Sequence, residues 1–211
     1  MQLYIIRHGD PDYANDTLTE YGWEQARELA KRMAAVNPDR IYSSPRGRAK
    51  ATAQPACELL NMQYTVEDWT TESMDYMQYP DLTDPDTIKK GWNSSFAEGV
   101  HDFEYFVTTE RADALDEMMS CSDEFLERHG YKKEGLYYRA VKPNDEKIAV
   151  FCHGGFGGAW ISYLLSLPPA MGWMHLALNT TSVTKFVFEN RENGFTFPRC
   201  VYLGDTSHLK K

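Results

Sequence analysis

Two histidines in this 211-residue chain each follow an apolar run, and each is followed by a glycine. The run YIIRHG ends on Arg7, His8 and Gly9, and the run KIAVFCHGG contains His153 and Gly154. An imidazole can act as a nucleophile, and a guanidinium matches phosphate oxygens with two parallel hydrogen bonds. Side chains at the end of a strand are held more firmly than those on loops. The pattern therefore favours chemistry on a phosphoryl group.

A second arginine suited to phosphate lies in the segment SSPRGRA. We interpret Ser44 as a helix N-cap and Pro45 as the first helical residue, which places Arg48 near the first turn. The first turn of a helix presents free N–H groups and the positive end of the dipole, which both favour an anion. Arg46 is the alternative to Arg48 in this role.

Strands and helices alternate around these residues. The spacing of Thr17 and Glu20 suits a capping box for a first helix that ends at about Val36. Apolar runs predict further strands at about 64–69, 183–189 and 195–203, with an apolar helix after His153. The alternation predicts an α/β layer fold with a mostly parallel sheet.

Residues 73–145 interrupt this alternation and are rich in Asp, Tyr, Met and Trp. A helix is predicted at about 109–128, with these apolar residues on one side: Leu115, Met118, Met119, Phe125 and Leu126. Aromatic residues are frequent before it, including Tyr76, Tyr79, Trp92, Phe96, Phe103, Tyr105 and Phe106. Most of them are expected to pack on the sheet, with only a few facing a ligand.

Composition narrows the function classes. The formal net charge of −9, from 22 basic and 31 acidic residues, argues against nucleic acid or an anionic membrane as partner. No apolar run approaches the length of a membrane span, and no signal peptide is visible, so a cytoplasmic protein is expected. The four cysteines are scattered, which is typical of reduced, buried thiols.

Taken together, these segments resemble the histidine phosphatase superfamily, whose best-known branch holds the phosphoglycerate-mutase-like enzymes. Residues 1–72 and 147–209 carry the resemblance. The shared pieces are RHG, LTE with Gly22 and Gln25-Ala26, SSP with Arg48-Ala49 and Thr52-Ala53, HGG, LNTTSV and LGDTSHL. The resemblance implies one α/β domain, a three-layer sandwich with a core of residues 1–72 and 146–211. Residues 73–145 would form a helical, aromatic lid over the active site.

The resemblance also implies roles for single residues. His8 would be the nucleophile that forms a phosphohistidine, while Arg7 and Arg48 would bind the phosphoryl oxygens. His153 would donate a hydrogen bond to the same group. Glu72 stands where the family places its proton donor, although the usual Leu before it and the Gly-rich continuation are absent. The alternatives for this proton donor are Glu67, Asp68 and Asp75.

Weaker matches concern substrate binding. Gly9 and Gly154 would permit close approach and close packing. Asn15 would assist phosphate binding, although it falls one residue later than in the family pattern. Thr181, or the neighbouring Ser182, would lend a hydroxyl or an N–H group. His208 lies in the closing motif and would orient the pocket or bond to nearby backbone rather than react.

The expected function is a metal-independent phosphomonoesterase that acts on a small organic phosphate without a cofactor. His8, Asp10 and Asp12 imitate metal ligands, but the adjacent arginines would repel a cation. One alternative is a cofactor-dependent mutase, in which a Ser-x-Trp-Asn stretch usually follows RHG; this chain has DPDY there. Another alternative is a catalytically silent phospho-ligand-binding protein. The sequence leaves the substrate and the oligomeric state open.

Overall fold

The computed structural model describes residues 1–72, 109–167, 172–173 and 175–209. The predictions for Asp75 and for the aromatic residues between 74 and 106 lie outside these ranges. The strands, in chain order, are β1 (Gln2–Arg7), β2 (Pro11–Asp12), β3 (Thr17–Leu18), β4 (Arg40–Ser43), β5 (Tyr64–Val66), β6 (Tyr131–Glu134), β7 (Tyr137–Ala140), β8 (Lys147–Cys152), β9 (Val183–Phe188), β10 (Phe195–Thr196) and β11 (Pro198–Asp205). The helices include α1 (Glu20–Val36), α2 (Gly47–Leu60), α3 (Thr109–Arg128) and α4 (Gly154–Leu164).

The central sheet has six strands in the order β11-β9-β1-β8-β4-β5. Strands β1, β8, β4 and β5 pair in parallel, whereas β9 is antiparallel to β1 and to β11. The two middle strands, β1 and β8, are apolar over nearly their whole length, as expected for strands covered on both faces. The predicted α/β fold with a mostly parallel sheet is confirmed.

Helices cover both faces of this sheet. Alternate residues of β1 face opposite sides: Leu3 and Ile5 belong to a core with α3 and α4, and Tyr4 and Ile6 to a core with α1 and α2. The indole of Trp160 in α4 donates a hydrogen bond to the Ser122 hydroxyl in α3 at 2.7 Å. The three layers expected from the resemblance are therefore present.

Two predicted helix caps are wrong. Thr19, not Thr17, caps α1, and its hydroxyl oxygen accepts the N–H of Gly22 at 3.0 Å. Thr17 instead pairs with Asp12 in the β2–β3 hairpin. Helix α2 begins at Gly47 with Arg46 as N-cap. Ser44 comes too early because its N–H still bonds to the sheet, at 2.8 Å from the Phe151 carbonyl. Arg48 does lie in the first turn of α2.

The C-terminal strands also differ from the prediction. The expected strand at 195–203 is divided: Phe195 and Thr196 pair with β7 in a small three-stranded sheet, and β11 starts at Pro198 in the main sheet. Pro198, the first residue of β11, has no N–H group, so one backbone donor is missing at the point where the chain passes from the small sheet to the main sheet. Helix α3 occupies the predicted range, and Leu115, Met118, Phe125 and Leu126 are buried as predicted. None of the described helices is long and apolar enough to cross a membrane.

Candidate active site

The two histidines meet at the carboxyl edge of the sheet. Arg7 is in register with Cys152, so the next residues, His8 and His153, emerge side by side from β1 and β8. The N–H of His8 extends the ladder to the Cys152 carbonyl at 2.9 Å. Both side chains are buried, and the ring centroids are 5.2 Å apart. Ligands of parallel α/β sheets bind at this edge, beyond the carboxyl ends of the strands.

One nitrogen of His8 is bonded so that the other faces the site. Nδ1 lies 2.7 Å from the Gly9 carbonyl oxygen, which only accepts, so Nδ1 carries the hydrogen. Nε2 then holds a lone pair, and the Nε–H of Arg48 points at it from 3.3 Å. Burial, aided by the charges of Arg7 and Arg48, lowers the pKa of His8 to about 4. A neutral imidazole whose Nε2 lone pair faces the site is a competent nucleophile.

His153 is bonded in the opposite way. Its Nε2 lies 2.7 Å from the Ser44 hydroxyl, and that hydroxyl oxygen accepts the N–H of Arg46 at 3.3 Å. The hydroxyl can therefore donate to Nε2, and that arrangement requires the imidazole hydrogen on Nδ1. Burial first, and then neighbouring positive charge, lowers the pKa of His153 to about 2. Nδ1 is buried without a hydrogen-bond partner among the described residues and lies 3.8 Å from Oε2 of Glu72.

Arg7 lies against the start of α4. One guanidinium nitrogen donates to the Leu178 carbonyl at 2.5 Å, while Nε is buried without a partner in the described part of the chain. A Cβ at Gly154 would come within 3.2 Å of that Nε, so the glycine lets the guanidinium pack on the helix terminus. Arg7 therefore keeps an unused donor beside the two histidines.

Arg48 is oriented by a residue that the sequence analysis did not assign. Asp16 accepts from the Arg48 guanidinium at 2.8 Å and, through its other oxygen, from the Gly47 N–H at 2.7 Å. Gly47 permits this contact, because a Cβ there would lie 2.1 Å from the Asp16 carbonyl oxygen. Arg46 instead donates to the Thr71 hydroxyl at 3.2 Å and is exposed there. The geometry thus brings Arg48 to the histidines, whereas the Arg46 side chain bonds elsewhere.

Glu72 reaches the site from the segment after β5. Its Oε1 accepts the N–H of Phe156 in the first turn of α4 at 2.9 Å. Burial raises the pKa of Glu72 despite this bond and despite the nearby Arg48 and Arg7. A carboxyl with a raised pKa is suited to donate a proton.

The described alternatives to Glu72 are placed differently. Both oxygens of Glu67 accept from the Arg128 guanidinium, at 3.0 and 2.9 Å, and the Trp69 indole adds a third bond at 2.9 Å. These bonds tie Glu67 to α3, away from the histidines. Asp68 begins the 3₁₀ turn Asp68–Thr70. Of the described candidates, Glu72 is therefore the acid that the structure brings to the two imidazoles, and its role stays a prediction.

The weaker candidates have other partners. Asn15 is exposed, and its amide donates to the Asp12 carboxylate at 2.7 Å. The N–H of Thr181 donates to the His8 carbonyl at 3.1 Å, and the Thr181 hydroxyl donates to its own neighbour, Thr180. His208 lies 3.2 Å from the Thr181 hydroxyl. Thr181 thus holds the His8 backbone through its N–H, and His208 contacts the Thr181 hydroxyl.

One glutamine and one threonine, to which the sequence analysis gave no role, hold the backbone that follows His8. Gln25 accepts the Asp10 N–H at 2.8 Å and donates to the Thr180 hydroxyl at 2.9 Å. The Thr52 hydroxyl accepts the Gly9 N–H at 2.9 Å. Gln25 and Thr52 belong to the motifs shared with the family, and that membership was the sequence signal that could have identified them. Their role follows only from the contacts.

Three donor atoms could by distance hold a metal ion. The relevant atoms of His8, Glu72 and His153 lie within 4.8 Å of one another. Arg48, however, already directs a positive N–H at the His8 lone pair. A cation placed among these atoms would meet that charge, whereas an anion would be attracted by Arg7 and Arg48. The arrangement suits a phosphoryl group better than a metal.

A cavity of about 410 Å³ opens beside Arg7 and Glu72. Its remaining walls come from Tyr13, the first turns of α4 and six residues that follow α4: Gly172, Trp173, Leu176, Ala177, Leu178 and Asn179. Arg7 and Glu72 therefore border both the cavity and the space near the histidines, while neither histidine lines the cavity.

Comparisons with known proteins agree with this architecture. The sequence profile of the histidine phosphatase superfamily (branch 1) matches residues 3–199. The probable phosphoglycerate mutase GpmB of Proteus mirabilis is 22% identical to this chain, with 99% of this chain and 95% of that protein covered. The GpmB of Salmonella paratyphi C is 23% identical over the same shares of the two chains.

Two solved structures share the fold. A phosphoserine phosphatase from Entamoeba histolytica, in complex with 3-phosphoglyceric acid, superposes with a TM-score of 0.68 at 22% identity and 99% coverage of both chains. A mycobacterial glucosyl-3-phosphoglycerate phosphatase, in complex with VO3, has a TM-score of 0.62 at 20% identity, with 95% of this chain and 97% of that chain covered. The match to the superfamily profile spans nearly the whole sequence, and the chain therefore belongs to branch 1 of the histidine phosphatase superfamily.

Proposed function

We propose that this protein is a phosphomonoesterase that works without a metal ion, through a phosphohistidine on His8. One observation carries the proposal: a neutral His8 directs its Nε2 lone pair into a space bordered by Arg48, Arg7, Nδ1 of His153 and the Glu72 carboxyl. Each of these groups suits one need of phosphoryl transfer, namely attack, charge stabilisation and proton donation.

In the first half-reaction, Nε2 of His8 forms a bond to phosphorus as the bond from phosphorus to the ester oxygen breaks. The leaving alkoxide takes the proton from Glu72, which becomes a carboxylate. Arg7, Arg48 and Nδ1–H of His153 donate to the three equatorial oxygens, where the negative charge of the transition state is spread. The products are an alcohol and phosphorylated His8.

In the second half-reaction, the Glu72 carboxylate removes a proton from water as the water oxygen bonds to phosphorus. The bond between phosphorus and Nε2 breaks, so inorganic phosphate leaves and His8 is again neutral. Glu72 is protonated again, and the cycle closes without an external acid or base. The raised pKa of Glu72 helps here, because the same group must both give and accept a proton near neutral pH.

The second candidate is a cofactor-dependent mutase, favoured by the names of the sequence relatives. A mutase would use the same phosphohistidine but return the phosphoryl group to a bound acceptor instead of water. The DPDY loop, which differs from the mutase pattern, forms its own hairpin, with Asp12 occupied by the Asn15 amide. This difference favours hydrolysis.

The test is turnover of p-nitrophenyl phosphate in EDTA, combined with trapping of a phosphoenzyme from a ³²P-labelled ester. The native protein is expected to turn over and to carry acid-labile, base-stable label. His8→Ala should lose both, while His175→Ala, which changes an exposed histidine, should keep both. Turnover by His8→Ala would exclude the mechanism.

Two further measurements separate the alternatives. Interconversion of phosphoglycerates that depends on bisphosphoglycerate and exceeds hydrolysis would establish a mutase. Tight vanadate binding without turnover or label, over a broad panel of esters, would establish a phospho-ligand-binding protein.

A further inference from the structure

A four-residue turn before β9 contacts the backbone of both residues at the end of β1. The turn Asn179–Ser182 is closed by a hydrogen bond of 3.0 Å from the N–H of its last residue to the carbonyl of its first. Within the turn, the Thr181 N–H donates to the His8 carbonyl at 3.1 Å. The Ser182 carbonyl accepts the Arg7 N–H, also at 3.1 Å. The conformation of this turn therefore sets where the backbone of the nucleophile lies.

Thr181 has an unusual backbone conformation in this turn. Its φ is 56°, in the left-handed region that glycine adopts readily and a β-branched residue seldom adopts. A residue in such a conformation stays there only when the surrounding contacts hold it. Because Thr181 is fully buried, those contacts come from other parts of the protein.

The Thr181 side chain is held by a chain of hydrogen bonds that runs in one direction. Arg32 in α1 lies 3.2 Å from Nδ1 of His208, and a guanidinium only donates, so Nδ1 accepts. Burial, aided by Arg32, lowers the pKa of His208 to about 4, so the ring is neutral and carries its hydrogen on Nε2. That Nε2–H donates to the Thr181 hydroxyl oxygen at 3.2 Å. The hydroxyl in turn donates to the Thr180 carbonyl at 2.8 Å.

Helix α1 anchors both ends of this arrangement. The Arg32 guanidinium donates to the Asp205 carbonyl at 3.1 Å and pairs with the Asp205 carboxylate at 2.7 Å. This ion pair fixes the end of β11, from which His208 follows three residues later. Gln25, also in α1, donates to the Thr180 hydroxyl at 2.9 Å. The helix therefore holds the turn directly through Gln25 and indirectly through His208.

We propose that His208 is a positioning residue for the phosphoryl transfer: together with Arg32, it holds Thr181 in the left-handed conformation and so keeps the His8 backbone in place for attack. The inference rests on the proposed function, because it concerns the reaction of His8. The resemblance left His208 without a defined partner, whereas the contacts supply the partner, the direction of each bond and the backbone conformation that depends on them.

The first comparison removes the histidine. In His208→Ala, phosphoenzyme formation from p-nitrophenyl phosphate, measured by burst kinetics, should slow by about tenfold or more, as for a small displacement of a reacting group. His208→Gln, whose amide N–H replaces the Nε2–H, should recover most of that rate. His175→Ala removes an exposed histidine and is the matched control, which should keep the native rate. Circular dichroism checks that each variant is folded.

A second pair of variants tests the backbone conformation. Thr181→Ala and Thr181→Gly both lose the hydroxyl, but only alanine keeps a Cβ that opposes a positive φ. Thr181→Ala should therefore slow phosphoenzyme formation about as much as His208→Ala, whereas Thr181→Gly should stay within about threefold of the native rate. Adding His208→Ala to Thr181→Gly should cost less than about twofold more, because glycine adopts the turn without the histidine.

Two outcomes overturn the inference. Phosphoenzyme formation as fast in His208→Ala as in His175→Ala would show that His208 does not position His8. An equal loss in Thr181→Gly and Thr181→Ala would show that the hydroxyl matters for a reason other than backbone conformation. If His208→Ala does not fold, His208→Gln and the two Thr181 variants decide between these results.

Binding of inorganic phosphate, measured by calorimetry, separates this inference from the proposed function. The Leu178 carbonyl, next to the turn, accepts a hydrogen bond from the Arg7 guanidinium, so a displaced turn should also move this phosphate-binding group. His208→Ala should weaken phosphate binding by about threefold or more, and Thr181→Gly should not. Failure of the proposed function looks different: the native protein turns over no ester and forms no phosphoenzyme, whatever the order of phosphate affinities among the variants.

Discussion

His8 and His153 stand at equivalent ends of adjacent parallel strands, yet opposite nitrogens of the two rings are engaged. His8 gives its Nδ1–H to the Gly9 carbonyl and turns Nε2 towards Arg48, whereas His153 engages Nε2 with Ser44 and keeps Nδ1 without a partner among the described residues. One ring thus presents a lone pair to the site and the other presents a hydrogen. A single bonding partner decides whether a histidine at such a strand end attacks or donates.

Burial makes both rings neutral and does not cause the difference in their hydrogen bonding. It lowers the pKa of His8 to about 4 and that of His153 to about 2, so both rings are neutral at physiological pH. A protonated His8 could not attack, and a neutral His153 still donates through Nδ1. The two imidazoles therefore need no difference in charge, because the position of the hydrogen on each ring makes one a nucleophile and the other a donor.

The largest expected effect is the loss of kcat on removing each histidine, which tests whether His8 attacks and His153 donates. His8→Ala should lower kcat by about 10⁴-fold or more, since the whole covalent route is lost. His153→Ala should lower kcat by about 10²- to 10³-fold, the range for one donor to transition-state charge. The measurement is kcat for p-nitrophenyl phosphate, with circular dichroism as the control for folding. Comparable losses, with phosphoenzyme still formed by His8→Ala, would reverse the two roles.

The next largest effect on kcat is expected from Glu72, the acid proposed for both half-reactions. Glu72→Gln should lower kcat by about 10²- to 10³-fold for an alkyl phosphate, whose alkoxide needs a proton. The loss should be much smaller for the phosphorylation step with p-nitrophenyl phosphate, because p-nitrophenolate leaves unaided. Burst kinetics measure that step separately from hydrolysis. Glu67→Gln is the matched control; an alkyl-specific loss there instead would transfer the role to Glu67.

The pH profile tests the charge state of both groups. Neutral His8 exists above its pKa, so kcat/KM should fall only as pH drops through about 4, not near the ordinary value of about 6.5. Protonated Glu72 exists below its raised pKa, so kcat/KM should fall as pH rises through that value. The profile is corrected for ionisation of the ester. Glu72→Gln should remove the alkaline limb, and an acid limb near 6.5 would contradict a buried, neutral His8.

A smaller effect tests the tautomer of His153. Ser44→Ala removes the hydroxyl on Nε2 and should lower kcat by about tenfold, the value of one buried hydrogen bond. Nitrogen NMR of labelled histidine should show hydrogen on Nδ1 in the native protein and a mixture in the variant. Ser43→Ala is the matched control, because its hydroxyl is equally buried but bonds to the Ser44 carbonyl. Equal effects on kcat in both variants would assign Ser44 a structural role only.

The smallest expected effect concerns two adjacent residues. Asp16→Asn weakens the bond that orients Arg48 and should raise KM by about threefold to tenfold, the value of a charge-assisted bond that is partly exposed. Asn15→Ala should change KM by less than about twofold, because the Asn15 amide is exposed and bonds to Asp12. A larger increase in KM for Asn15→Ala would support the family-based prediction that this amide binds phosphate.

Much of the fold follows from local patterns. Apolar runs and helical spacing predicted β1, β8, α3 and the mostly parallel sheet, since burial on one or both faces leaves a direct periodic trace. The caps at Thr17 and Ser44 were wrong because a capping hydroxyl has several competing partners. Ser44 is taken by the sheet and by His153, and neither partner is near it in sequence.

The sequence by itself predicted the candidate groups for this site: two histidines at strand ends, two arginines and an acid after the third core strand. Their types and order suffice because side chains at strand ends share one edge of a parallel sheet. Only the tertiary structure decided which nitrogen of each histidine faces the site, which arginine Asp16 orients and which acid reaches the imidazoles. Those choices depend on hydrogen bonds between residues far apart in the chain, which leave no periodic trace in the sequence.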